Sequence, residues 1–150
     1  MGVFNGKDCS VRIGTTEVVG IGAWTLSGVS ADELDASDFN DHWMSYEFGQ
    51  KDGGTLVFNG LLDAADTTGQ EVLRYANNEL SDITTLRVYI NDTSYFVPNQ
   101  TTGYFNPVTG TGADTVVSHV NITALEIGSE KNSLCTVSFT ARVSGSMVLV

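Results

Sequence analysis

Positive charge is what this sequence has least of. Seven Lys and Arg stand against eighteen Asp and Glu, giving a formal net charge of −11 and a pI near 4.2. Gripping nucleic acid needs clustered Lys and Arg, so the balance argues against a phosphate-binding surface. It leaves room for nucleic acid passing nearby without sticking, and it also serves ordinary solubility. No run of about 18 apolar residues occurs, which excludes a helical membrane span. The opening residues, Met1-Gly2-Val3-Phe4-Asn5-Gly6-Lys7, lack the apolar stretch of a secretion signal. Gly6 also stands where a myristoylation site wants Ser or Thr. The chain is expected to mature where it is made. The two cysteines, Cys9 and Cys135, fit no CxxC spacing, and each falls at an apolar position of an expected strand. Buried free thiols are expected there rather than a disulfide.

Catalytic vocabulary is equally thin. Of the two histidines, His42 lies near Asp38 and Asp41, but one imidazole with flexible carboxylates is a weak metal set. His119, between Val117 and Val120, reads as an ordinary strand residue. The acidic residues 32–41 lack the central Gly and terminal Glu of a calcium loop. There is no GxSxG elbow. The Gly-rich residues 109–113 lead into Asp and Thr rather than Lys-Ser/Thr, so they do not form a phosphate cradle. The reading is of a protein that is not an enzyme, with no cofactor and no metal.

What is present points to β structure in one domain spanning residues 1–150: sixteen Gly, 41% hydrophobic residues, and runs of Thr, Ser, Val and aromatics. Residues 9–13 and 17–21 form a hairpin about Gly14-Thr15-Thr16, with a bulge at Gly20 and Gly22 before a strand over 23–29. Residues 55–62 form another strand, apolar on both faces and so expected to be covered on both, at least in part. A helix over 71–78 is expected, with Thr68 and Glu71 as a capping box and Asp66 at the positive end of the dipole. Val72, Leu73, Tyr75 and Ala76 would form its apolar face, and Asn77-Asn78 its stop. Strands over 85–90 and 93–97 turn at Asn91-Asp92. Tyr104 and Phe105 precede a flexible loop, and long strands cover 114–127 and 134–143. Residues 147–150 are expected to dock. The fold class is mainly β, a β-sandwich or partly closed barrel of eight or nine strands, with one short α-helix and a long acidic loop.

That loop organises the chain. Residues 30–62 open with Asp32, Glu33, Asp35, Asp38 and Asp41, then turn aromatic through Phe39, Trp43, Tyr46 and Phe48. They break at Asp52-Gly53-Gly54 and end apolar. A connector has no need of such aromatics, so this segment is expected to contact something else.

The passage Tyr46-Glu-Phe-Gly-Gln-Lys-Asp-Gly-Gly-Thr-Leu-Val-Phe-Asn-Gly60, set in a strand–loop–strand–helix order over residues 18–78, resembles the major tail tube proteins of long-tailed bacteriophages. The resemblance implies a virion tail protein, assembled in the host bacterial cytoplasm. It implies homo-hexameric rings stacked into a negatively charged tube through which DNA passes without specific binding, and contacts with other tail proteins but with no membrane. It also implies strands added to a continuous inner barrel and a loop that reaches neighbouring subunits. Phe39, Trp43, Tyr46 and Phe48 are then the assembly contacts, unless they fold back as a satellite cluster on their own subunit. Thr25, Ser27, Thr55 and Asn59 are candidates for the channel-facing side, in competition with the polar face of residues 134–143. Two other readings stand beside this one. A carbohydrate-binding β-sandwich would use Trp24, Trp43, Tyr104 and Phe105 as a stacking platform. A capsid decoration or tail-completion protein would make one ring or none.

Overall fold

The computed structural model describes residues 6–100 and 118–150, and the backbone of two short strands at 104–105 and 113–114. The side chains of Tyr104 and Phe105, and residues 109–112 of the expected loop, lie outside the described residues. Thirteen strands and one helix follow in chain order: β1 (Ser10–Ile13), β2 (Thr16–Glu17), β3 (Ile21–Ser27), β4 (Ser30–Asp35), β5 (Tyr46–Asp52), β6 (Thr55–Leu61), α1 (Gln70–Glu79), β7 (Leu86–Tyr89), β8 (Tyr95–Pro98), β9 (Tyr104–Phe105), β10 (Ala113–Asp114), β11 (His119–Gly128), β12 (Thr136–Ser144) and β13 (Met147–Leu149). The count exceeds eight or nine because several strands are only two or three residues long, and because β4 lies where a loop was expected.

Two antiparallel sheets form the body, a five-stranded one ordered β13-β8-β7-β1-β2 and a four-stranded one ordered β11-β12-β6-β3. The sheets face each other and do not close into a barrel. Alternation in β12 sets the pattern: Val137, Phe139, Ala141 and Val143 are buried, while Thr136, Ser138, Thr140 and Arg142 point away. Leu56 and Phe58 of β6 and Ile122 of β11 join them from the same sheet, Val11, Leu86 and Val88 from the opposing one. Each such side chain contributes about 1.5–3 kcal/mol on burial, so this core needs no covalent staple. Cys9 and Cys135 are free thiols, and both are half-buried rather than buried, because each sits just before its strand begins. The other face of β6 is covered only in part: Thr55 and Val57 are half-buried there, while Asn59 and Leu61 are exposed. A register shift between Ile21 and Ala23 confirms the expected bulge. Gly60 is required opposite it, because a Cβ there would collide with the Gly20 carbonyl and the Ile21 backbone.

The helix differs from expectation at its ends and on its face. Gly69 occupies the N-cap and no side chain caps from that position, so the Thr68–Glu71 box does not form. Asp66 does the capping from one turn upstream. Its carboxylate accepts from the backbone N–H of Gly69 (3.1 Å), Gln70 (3.1 Å) and, across the chain, Val19 (2.9 Å). The neighbouring Gln70, fully buried, donates to the Leu61 carbonyl (2.8 Å) and accepts from Asp63 N–H (3.0 Å), pinning the helix start to the end of β6. Leu73 and Ala76 enter the core while Val72 and Tyr75 stay exposed, so the apolar stripe is narrower than the sequence suggested. Leu80 in the left-handed region (φ 52°), not Asn77-Asn78, ends the helix.

Burial pushes the Asp66 carboxyl up, but donation from the backbone N–H groups of Gln70, Val19, Gly69 and Thr68 outweighs it and holds the group below the ordinary carboxylate value. A carboxyl depressed by folding lends stability that is present above its unfolded pKa of about 3.9 and is lost as pH falls through the folded value. Asp66→Asn is expected to destabilise the fold by about 1–2 kcal/mol at pH 7 and to flatten the acid limb of the stability profile. Urea melts at pH 7 and pH 3 measure both effects.

Candidate functional site

The segment after β3 is a projecting β-hairpin, not an irregular loop. The body pairs β3 with β6 out to Ser27 opposite Thr55, and the same two lines of chain continue as β4 and β5 from Ser30 opposite Asp52 to Asp35 opposite Tyr46. Between the two ladders the backbone bends at Gly28 (φ +74°) and Gly54 (φ +90°), a region only glycine enters freely. A Cβ on Gly54 would strike the Ser27 carbonyl. The expected break at Asp52-Gly53-Gly54 is therefore the hinge of an arm. Asp52 fixes the hinge: it accepts from Gly54 N–H (2.9 Å) and pairs with Arg142 of β12, whose guanidinium also donates to Thr55 Oγ1 (3.1 Å). Donation from Gly54, reinforced by Arg142, lowers the Asp52 carboxyl below its usual range.

At the far end, residues 36–45 form a tip organised by short polar side chains. Asp35 accepts from Ser37 N–H (2.9 Å), Asp41 from Asp38 N–H (2.7 Å) and Asp38 from Phe39 N–H (2.7 Å); Ser45 N–H donates to Ser37 Oγ (2.8 Å). The Ser37 hydrogen bonds lower the Asp35 carboxyl. Carboxylates that serve the tip in this way are engaged in turn geometry. Among the described residues no group of three or more His, Cys, Asp or Glu side chains is placed to hold a metal ion.

The four aromatics named from sequence all belong to this arm, Phe39 and Trp43 at the tip, Tyr46 and Phe48 on β5. Phe39 is fully exposed, Trp43 is 87% exposed, Phe48 68% and Tyr46 46%, and Leu34 and Met44 beside them are exposed as well. They do not fold back as a cluster on their own subunit. Seven of the eighteen acidic side chains lie between residues 30 and 52, with one lysine.

Thr25, Ser27, Thr55 and Asn59 fall together on the outer face of the four-stranded sheet. Thr25 pairs with Val57 and Ser27 with Thr55, while Thr55 lies opposite Arg142 and Asn59 opposite Ser138. The polar side of residues 134–143 is thus no competitor. It is the same surface, made of Thr136, Ser138, Thr140 and Arg142 from the next strand. Trp24, by contrast, is turned inward: its indole N–H donates to the Tyr89 carbonyl (3.2 Å) and its ring meets Phe96 edge-on at 6.3 Å. Sequence alternation supplied the sheet face, but the hairpin character of residues 30–52 was missed. Its signal was the alternation in Tyr46-Glu-Phe, masked by the density of Asp and Ser before it.

No protein-family model matches the sequence, and no curated protein matches it. Solved structures do match its fold. One is a chain of the virion of the native gene transfer agent (GTA) particle, similar with a TM-score of 0.71 at 16% identity over 99% of both chains. Another is a chain of the tail of the empty GTA particle with C6 symmetry, at a TM-score of 0.65 and 15% identity over 99% of both chains. A third, from the sheath-tube complex of an extracellular contractile injection system (PVC) in the extended state, gives 0.58 at 11% identity, covering 99% of this chain and 92% of that one. At these identities the likeness is one of fold, and it spans the whole length of this chain.

Proposed function

We propose that this chain is a structural tail-tube subunit of a phage-like particle, without enzymatic activity. It assembles in the host bacterial cytoplasm into six-membered rings that stack, together with other tail proteins, into the virion tail. The observation that carries this reading is the arm. A hairpin that contributes no side chain to its own core, yet exposes Phe39, Trp43, Tyr46 and Phe48, gains its stabilising burial from another molecule. Aromatic anchors of this kind carry most of the energy of an interface. The similarity in fold to chains of tail and tube assemblies, one with C6 symmetry, supports the ring geometry. Edge strand β3 leaves one margin of the four-stranded sheet open, and β11 at the other is covered in part by a bridge from Ile83 to Val120 and by Asn77 on the Ile122 carbonyl; pairing between neighbouring copies would cover the rest.

In that ring Thr25, Ser27, Thr55 and Asn59 face the channel. Hydroxyls and amides dominate the wall, and its one strand guanidinium, Arg142, is already matched by Asp52. Phosphate finds no free cation on those strands, so DNA slides. A glycan-binding platform is less well supported, because Trp24 is committed to Tyr89 and Phe96.

Trp43→Ala is expected to leave the monomer folded and to raise the concentration at which tubes appear by about thirtyfold, the equivalent of a 2 kcal/mol anchor. Sedimentation of concentrated protein reads the onset. Polymerisation unchanged by the substitution removes Trp43 from the contact. Negative-stain microscopy of the same samples separates tubes from isolated rings, which would mark a decoration or tail-completion protein, and from monomers.

A further inference from the structure

The outer face of the five-stranded sheet holds an arrangement that the tube reading has not used. Arg12 of β1 stands directly opposite Arg87 of β7, both on the side away from Val11, Leu86 and Val88. The Arg12 guanidinium lies 4.2 Å from the Tyr89 ring centre and that of Arg87 4.5 Å from Tyr95, while the two rings tilt together at 4.8 Å. Arg87 also donates to the Tyr89 hydroxyl (3.4 Å). Like charges directly opposite on a sheet repel, yet among the described residues no carboxylate lies within ion-pairing distance of either guanidinium. Even Glu17, opposite Arg12 in the β2 register, makes no ion pair with it. Two of seven basic side chains are thus concentrated and unneutralised in a chain of net charge −11.

We propose that this Arg12–Arg87–Tyr89–Tyr95 ladder is the seat for the arm of a second copy of the chain, which deepens the tube reading and rests on it. The arm carries the complementary pattern. Glu33 lies opposite Phe48 and Asp35 opposite Tyr46, so two carboxylates and two rings share one exposed face of the hairpin. On the seat like groups face each other across β1, β7 and β8, about 5 Å apart, and on the arm they follow one another along β4 and β5, about 7 Å apart, so the hairpin would lie across the strands of the seat. Carboxylates meet guanidiniums, and a ring meets the half-buried Tyr95, already ordered by its cation–π contact, while Tyr89 is itself buried and backs the seat from below. A charge-complementary seat of this kind also fixes which partner is chosen and makes assembly salt-sensitive.

The test uses the full chain. R12Q/R87Q keeps side-chain length and polarity, and circular dichroism with a thermal melt checks that it folds. Its onset of tube formation in sedimentation is expected to rise about tenfold or more, and the salt dependence seen in wild type is expected to flatten. The reciprocal pair supplies the second arm: E33K alone and R87E alone each impair assembly, and the two together restore it towards wild type. Asp35 is left in place because it holds the tip through Ser37. A folded R12Q/R87Q that assembles at wild-type concentration with wild-type salt dependence overturns the seat while leaving the tube reading intact. Absence of rescue in the E33K/R87E pair also counts against it. A wild-type chain that never assembles overturns both.

Discussion

Phe58→Ala is expected to cost about 3–5 kcal/mol of folding stability and to lower the melting temperature by roughly 10 °C. Phe58 and Phe139 are directly opposite on β6 and β12, both fully buried, with ring centres 5.3 Å apart in a stacked arrangement. Removing one ring deletes its transfer free energy and strips the other of its closest partner. The cavity cannot collapse cheaply. β6 is held on one side by β12 and on the other by β3, where Trp24 pairs with Phe58 and is itself tied to Tyr89. Phe58→Leu keeps most of the volume and should cost less than about 2 kcal/mol. Urea melts compare the two. A loss below about 1 kcal/mol for the alanine variant would mean that the sheets slide together to fill the space. Because Phe58 is remote from the arm, the variant should still assemble at temperatures well below its melting point.

The body of the molecule was largely legible because its signals are local. Alternation over Val137, Phe139, Ala141 and Val143 dictates which side of β12 is core, and Asn91 dictates the β7–β8 turn, accepting from both Thr93 and Ser94 N–H. The bulge before β3, the docked β13 and the single α-helix among the described residues followed in the same way. What local pattern could not show was pairing across long separations. Asp66 reads as a helix-start residue, yet one of its partners is Val19, 47 positions away. Its capping role displaced the Thr68–Glu71 box that the spacing alone favoured. The outer face of β6 is covered only in part for a related reason: Val57 and Leu61 both look like core residues, yet Val57 is half-buried and Leu61 exposed.

The site was legible in composition and obscure in shape. Aromatics in an acidic stretch marked residues 30–52 as a contact segment, and all four named rings do project from it. Asp and Ser depress strand propensity, so β4 was hidden; its pairing with β5 supplies what propensity withholds. The Arg12–Arg87 pair escaped notice although the signal was there. Each arginine sits between apolar neighbours, Val11 and Ile13 or Leu86 and Val88, a pattern that places both on the outer face of strands. Only the β1–β7 register brings them side by side.

Excising the arm is expected to abolish assembly while leaving the body folded. Ser30 and Asp52 are paired directly across the two strands, so replacing residues 31–51 by Asn-Gly joins them through a two-residue hairpin turn. Asp52 keeps its contacts with Gly54 and Arg142, and Gly28 and Gly54 keep their conformations. No core residue lies in the excised stretch, so no apolar burial within the subunit is lost. Shortening the connection lowers its closure entropy, by at most about 2 kcal/mol, so stability should hold or rise slightly. Six acids and one lysine leave with the arm, which reduces the net negative charge and by itself would ease like-charge repulsion between copies. Neither secondary effect opposes association. A variant that melts like wild type yet stays monomeric in sedimentation velocity therefore assigns the grip to the arm's own contacts. Tubes that form without it would place the assembly energy in the sheet margins β3 and β11, and the aromatics at the tip would need another partner.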